Sequence, residues 1–199
     1  MILQETYTLS NGVEIPKLGL GTWMMSNDDV VQAVIAAAKI GYRHVDTAQA
    51  YHNEQGVGEG LRQSGVRRDE LFVTTKIDAG LKSHDEAAAS IDASLAALGL
   101  DYVDLMLIHS PRPWDKFRGD EPFFAENRAV WAALEEAYGA GKLRAIGLSN
   151  VSHFRRLFRR HMGVPPGMLR QERKNRPCAA RGDVSESAHD CTSVCVLPR

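Results

Sequence analysis

Gly41-Tyr-Arg-His-Val-Asp-Thr-Ala-Gln-Ala-Tyr-His-Asn-Glu-Gln-Gly-Val-Gly58 is the stretch whose reading decides the fold of this chain. Residues 42–45 read as a short apolar strand that delivers Asp46 at its end, and Tyr51 follows five residues later on a loop. An acid at a strand end with a phenol nearby is how a fold holds a proton donor beside a carboxylate that tunes it.

Outward from this stretch the chain alternates strand-like and helix-like segments. Before it, residues 17–22 (Lys-Leu-Gly-Leu-Gly-Thr) read as a short strand ending in a tight turn. Residues 28–40 place Val30, Val31, Val34, Ala37 and Ala38 at helical spacing, with Gly41 as the stop. After it come a helix near Glu54 to Gln63 and the strand 71–75, which leads to Lys76. Ser83 and Glu86 have capping-box spacing before an Ala-rich helix that stops at Gly99. Residues 103–108 form a further strand ending at His109. A loop of about 15 residues, a helix around 127–138 and the strand 145–148 complete five strand–helix repeats. Near-continuous apolar strands between amphipathic helices imply a parallel sheet covered by helices. An open doubly wound sheet and a closed (β/α)8 barrel both fit that pattern.

Composition places the chain among ordinary globular proteins. Its 199 residues suffice for one well-buried domain, and 44% are apolar against 25% charged. A formal charge of −1 gives no reason to expect a nucleic acid or an anionic membrane as partner. No apolar run reaches the roughly 18 residues of a membrane span, and the first residues lack a signal-peptide plan. Cys178, Cys191 and Cys195 are odd in number and lack zinc-site spacing, so a reduced, cytoplasmic protein is the expectation.

After about Val164 the grammar changes. Periodicity is lost, no Phe, Tyr or Trp lies beyond Phe158, and all three cysteines and four of the eight prolines lie from Pro165 onward. Such a segment buries too little apolar surface to offset its ordering entropy. The division expected is therefore 1–163, a folded unit, and 164–199, an irregular tail. The tail reads either as disordered or as translated out of frame in place of genuine fold sequence. A one-base shift near the codons for Gly163 to Pro166 tests the second reading.

Four polar residues track strand ends. Asp46, Lys76 and His109 lie at the C-terminal ends of three strands, and Tyr51 on the loop after one of them. In a parallel barrel those ends converge on the face where active sites are built, and this favours the barrel over the open sheet. Singly, each has a bland reading as a solvated strand-end charge or a packed surface aromatic. Gly56-Val-Gly-Glu-Gly60 does not form G-x-G-x-x-G, so it makes no Rossmann fingerprint. His44 and His52 lack the partners of a metal centre, and no metal is expected. The four arginines between Phe154 and His161 read as a charged helix face.

The stretch 41–58 resembles the aldo-keto reductase signature G-x-R-H-x-D-x-A-x-x-Y-x-N-E-x-x-V-G at every fixed position. The resemblance is to the 2,5-diketo-gluconate reductase-like and aldose reductase-like members. It covers roughly the first 160 residues and implies a (β/α)8 TIM barrel, here with about five of the eight strand–helix units. It further implies NADPH-dependent reduction of aldehydes or ketones to alcohols by a cytoplasmic monomer acting on a small-molecule carbonyl. Asp46, Tyr51, Lys76 and His109 then match the catalytic set. Tyr51 is the proton donor, Lys76 lowers its pKa, Asp46 holds Lys76, and His109 orients the carbonyl oxygen.

Cofactor contacts are implied for Thr22, Asp46, Ser149 and Asn150, the last two towards the nicotinamide carboxamide. A polar pair at a strand end equally caps a following helix. Trp23 and Trp114 are implied, with His109, as substrate-pocket residues, and a plain packing role fits Trp114 as well. The alternative is a non-catalytic truncated remnant of such an enzyme, with open sheet edges, unstable or dependent on a partner chain.

Overall fold

The computed structural model describes residues 2–117, 119 and 121–151. The expected irregular tail and the arginine-rich segment lie outside these.

Two short strands, β1 (Thr6–Thr8) and β2 (Glu14–Pro16), open the chain as an antiparallel hairpin. Five parallel strands follow: β3 (Leu20–Gly21), β4 (His44–Asp46), β5 (Phe72–Ile77), β6 (Leu105–Ile108) and β7 (Ile146–Leu148). Between them run α1 (Asn27–Ile40), α2 (Glu54–Gln63), α3 (His84–Leu98) and α4 (Phe124–Gly139). The spatial order of the sheet is β3-β4-β5-β6-β7, the order of the sequence. A doubly wound sheet reverses its order at a switch point, whereas a barrel adds each strand beside the last. The uninterrupted order therefore selects the barrel, and the chain holds a partial (β/α)8 fold.

Local chemistry accounts for the helix ends. Ser26 caps α1 by accepting a hydrogen bond from the Asp29 amide at 3.1 Å, and Gly41 ends it in the left-handed conformation at φ 105°. Ser83 caps α3 by accepting from the Glu86 amide at 3.3 Å, as the spacing of the two residues predicts. Gly99 closes α3 at φ 64°. None of the described helices is long and apolar enough to cross a membrane.

The two-residue period of the strands splits the core in two. Val45, Val73, Ile77, Met106, Ile108 and Ile146 face outward and pack with the apolar stripes of the helices. Phe72, Leu105, Leu107 and Ala145 form a separate cluster on the inner face. Leu9, Val13 and Ile15 of the hairpin pack against this second cluster, which places the hairpin across the N-terminal end of the sheet. Sequence reading does not reveal the hairpin, because its three-residue strands are largely exposed and show no alternation.

Glycines let α2 lie close to its neighbours. A Cβ on Gly58 would stand 2.2 Å from the Leu98 carbonyl oxygen of α3, and one on Gly56 would stand 2.4 Å from that of Asn27 in α1. Residues 56–60 thus serve helix packing, in place of the phosphate cradle that their composition superficially evokes.

Candidate active site

The inner face of the sheet turns polar towards the C-terminal strand ends. Along β5, Phe72 lies in the apolar inner cluster, Thr74 binds His44, and Lys76 reaches Asp46. Strand pairing sets Asp46 against Thr74 and Lys76 against Leu107, so Asp46, Lys76 and His109 meet at one end of the sheet. Tyr51 ends a single 3-10 turn, Gln49–Tyr51, after β4.

Lys76 is buried and doubly held. Its Nζ donates to an Asp46 carboxylate oxygen and, at 2.9 Å, to the Thr47 carbonyl. That ammonium lies 5.2 Å from the centre of the Tyr51 ring. The Tyr51 and His109 rings meet edge to face with centres 5.5 Å apart, and Trp114 stands at 90° to His109 with centres 5.0 Å apart. Asp46, Tyr51, Lys76, His109 and Trp114 therefore share one mouth.

Burial and the Lys76 charge, in that order, push the His109 imidazole down to about 4. A neutral ring carries one N–H and one acceptor nitrogen. Nδ1 is buried without a hydrogen-bond partner among the described residues. Tyr51 departs from the sequence expectation. Its phenol is held above its ordinary value by burial first and the Asp46 carboxylate second. Lys76 does not reverse this because its ammonium is already paired with Asp46.

The remaining expected site residues are distributed around this cluster. Ser149 Oγ and Asn150 Nδ2 donate to the His109 carbonyl at 2.5 and 2.8 Å, tying the end of β7 to the end of β6. Asn150 adopts φ 55°, a left-handed conformation that Asn tolerates better than most residues. Thr22 is fully buried, and its hydroxyl points at the Asp46 carbonyl and Asn53 Oδ1, at 3.3 and 3.5 Å. Trp23 follows it in sequence and is 70% exposed.

Two residues escaped sequence reasoning, although they are fixed letters of the same stretch. Asn53 donates to the carbonyls of Thr22 and Met25, at 2.8 and 3.0 Å, and accepts from the Thr47 hydroxyl at 2.9 Å. It thereby fastens the loop after β3 to the loop that carries Tyr51. Glu54, also buried, accepts from Thr75 at 2.5 Å and Ser94 at 3.2 Å, and burial raises its carboxyl above the usual range. Polar residues opening a helix inside an apolar shell were the available signal.

The chain belongs to the aldo/keto reductase family, whose sequence pattern matches residues 17–171. It is 43% identical to the glyoxal reductase of Bacillus subtilis (strain 168) over 160 residues, 79% of this chain and 54% of that one. It is 40% identical to the glycerol 2-dehydrogenase (NADP(+)) of Saccharomyces cerevisiae, covering 73% of this chain and 51% of the relative. Among solved structures, an aldo/keto reductase from Brucella melitensis superposes with a TM-score of 0.67 at 39% identity, over 81% of this chain and 60% of that one. A Bombyx mori aldo-keto reductase in complex with NADP gives 0.65 at 37% identity, over 77% and 53% of the two chains. The chain thus spans about half the length of the curated relatives it matches.

Proposed function

We propose that this protein reduces aldehydes or ketones to alcohols, with NADPH as hydride donor and Tyr51 as proton donor. The observation that carries the reading is the convergence of a phenol, an ammonium, a carboxylate and a neutral imidazole at one mouth of the sheet. Support comes from relatives whose names pair carbonyl or alcohol chemistry with NADP(+), and from a similar structure that holds NADP. On the same reading the protein is a cytoplasmic monomer acting on a small-molecule carbonyl.

Bound NADPH supplies the hydride that no side chain can. Ser149 and Asn150 would hold its carboxamide. The Ser149 hydroxyl and one N–H of the Asn150 amide are engaged by the His109 carbonyl, which leaves Ser149 Oγ and Asn150 Oδ1 as acceptors suited to the carboxamide NH2. Thr22 would contribute through the wall it builds with Asn53, since its hydroxyl is turned into the protein.

The substrate carbonyl oxygen fits between Tyr51 and His109. His109, neutral at physiological pH, donates one hydrogen bond that orients this oxygen and opposes its developing charge. Tyr51 keeps its proton in the resting site and transfers it as the alkoxide forms. The resulting phenolate lies beside the Lys76 ammonium. Taking the 5.2 Å to the ring centre as the separation and an effective dielectric of about 20, that attraction is about 3 kcal/mol, and Asp46 offsets part of it. Asp46 and the Thr47 carbonyl hold the ammonium in place by two hydrogen bonds.

Tyr51→Phe tests the assignment in steady-state assays combined with NADPH fluorescence quenching. Turnover falls about 100-fold or more, while NADPH affinity stays within about twofold. Parallel loss of both would remove Tyr51 from the acid role. Absence of NADPH binding by the folded wild-type chain would instead support the non-catalytic alternative.

A further inference from the structure

Lys82 is a half-buried cation that the reaction does not use. It lies on the loop after β5, one residue before the Ser83 cap of α3. Its Nζ donates to the Ser110 carbonyl at 3.2 Å and to Asn127 Oδ1 at 3.0 Å. Asn127, in the first turn of α4, completes the link by donating from Nδ2 to the Pro111 carbonyl at 2.8 Å. Three segments far apart in sequence thus meet at two successive backbone carbonyls, those of Ser110 and Pro111. This dipeptide joins His109, whose ring contacts Tyr51, to the loop that bears Trp114.

The consequence is mechanical. Trp114 is 45% exposed, yet it stands edge-on to the buried His109 ring. A half-exposed aromatic on a loop of 15 residues, 109–123, needs an anchor to keep such an orientation. The Ser110–Pro111 dipeptide supplies it, its first carbonyl held by the Lys82 ammonium and its second by the Asn127 amide.

We propose that Lys82, acting with Asn127, is a positioning residue for the carbonyl-binding pocket: it latches the Ser110–Pro111 dipeptide and so sets Trp114 against His109. The inference rests on the reductase reading for its functional meaning, and on geometry alone for the latch. Burial lowers the Lys82 ammonium to about 8, against the opposing pull of Glu126 on α4 and Asp78 on its own loop. The two hydrogen bonds are charge-assisted below that pH and weaken above it.

The test uses the full chain labelled with 5-fluorotryptophan, whose three tryptophans give fluorine resonances assignable by single Trp→Phe exchange. In the wild type the Trp114 resonance moves with a midpoint near pH 8, whereas that of Trp23 on the β3 side stays put. Lys82→Met displaces the Trp114 resonance at pH 7 and abolishes the titration. Lys82→Arg retains the pH 7 position and also loses the step. In assays with small aldehydes, Lys82→Met raises KM about tenfold and leaves kcat within about twofold.

A Trp114 resonance indifferent to both substitution and pH would overturn the latch. Should Lys82→Met not fold, the wild-type titration decides alone, a flat Trp114 profile counting against the proposal. The fluorine result needs no turnover, so failure of the reductase reading shows separately as absent NADPH binding.

Discussion

Gly58→Ala places one methyl group where the structure has no room for it. The added carbon would sit 2.2 Å from the Leu98 carbonyl oxygen, 2.6 Å from its carbonyl carbon and 2.9 Å from its Cα. All three are backbone atoms, so no rotamer change relieves the clash, and α2 must retreat from α3 by about 1 Å to restore van der Waals contact. That retreat opens the packing of Val57 and Leu61 and lengthens the Ser94–Glu54 hydrogen bond, 3.2 Å at rest.

Overpacking of this kind costs about 1–3 kcal/mol, and a loosened bond to a buried carboxylate adds to it. Replacing a helical Gly by Ala otherwise gains up to about 1 kcal/mol. The expected net loss is about 2–3 kcal/mol, a large share of a typical domain stability of about 5–15 kcal/mol.

Urea unfolding followed by far-UV circular dichroism measures the difference. Gly139→Ala serves as control, because it ends α4 with nothing within 4 Å of the added carbon and leaves stability equal or higher. Equal midpoints for the Gly58→Ala protein and the wild type would refute the claim that glycine sets the α2–α3 distance.

Other consequences follow from buried charge. Asp104→Ala removes the carboxylate that Arg68 and Arg144 contact at 2.7 and 2.6 Å, leaves the buried Val73 N–H, 2.9 Å from that carboxylate, without its acceptor, and costs about 1–3 kcal/mol in thermal or urea melts. Below pH 6.5 an unfolded chain protonates His109 while the folded chain resists until about 4, so stability declines through that window and levels off beneath it. His109→Asn flattens this decline by about 1–2 kcal/mol after solvent screening, and the buried His44, lowered by burial, sustains the rest. A stability profile unchanged by His109→Asn would contradict the neutral assignment. Lys76→Met suppresses turnover at least as far as Tyr51→Phe in the same assay, since it removes the charge that faces the phenolate; turnover near that of the wild type would discard this role.

Much of this protein was legible in one dimension because much of its physics is local. The cap at Ser83, stops at Gly41 and Gly99 and the span of α2 depend on residues within a turn of one another. The stretch 41–58 likewise contains two of the four polar groups of the site and the family resemblance itself. What the sequence left open is what depends on strand register and on atoms more than thirty residues apart. Asp104 closes an ion pair with Arg68 and Arg144 across 36 and 40 positions, and Asn53 joins loops 31 residues apart.

The direction of the Tyr51 shift also belongs to the tertiary structure. A phenol near an ammonium predicts a lowered pKa. The folded site instead pairs that ammonium with Asp46 and buries the ring, so desolvation prevails. Periodicity and capping are short-range and survive in a string of letters. Burial and the partition of charge exist only once the sheet has brought its strand ends together.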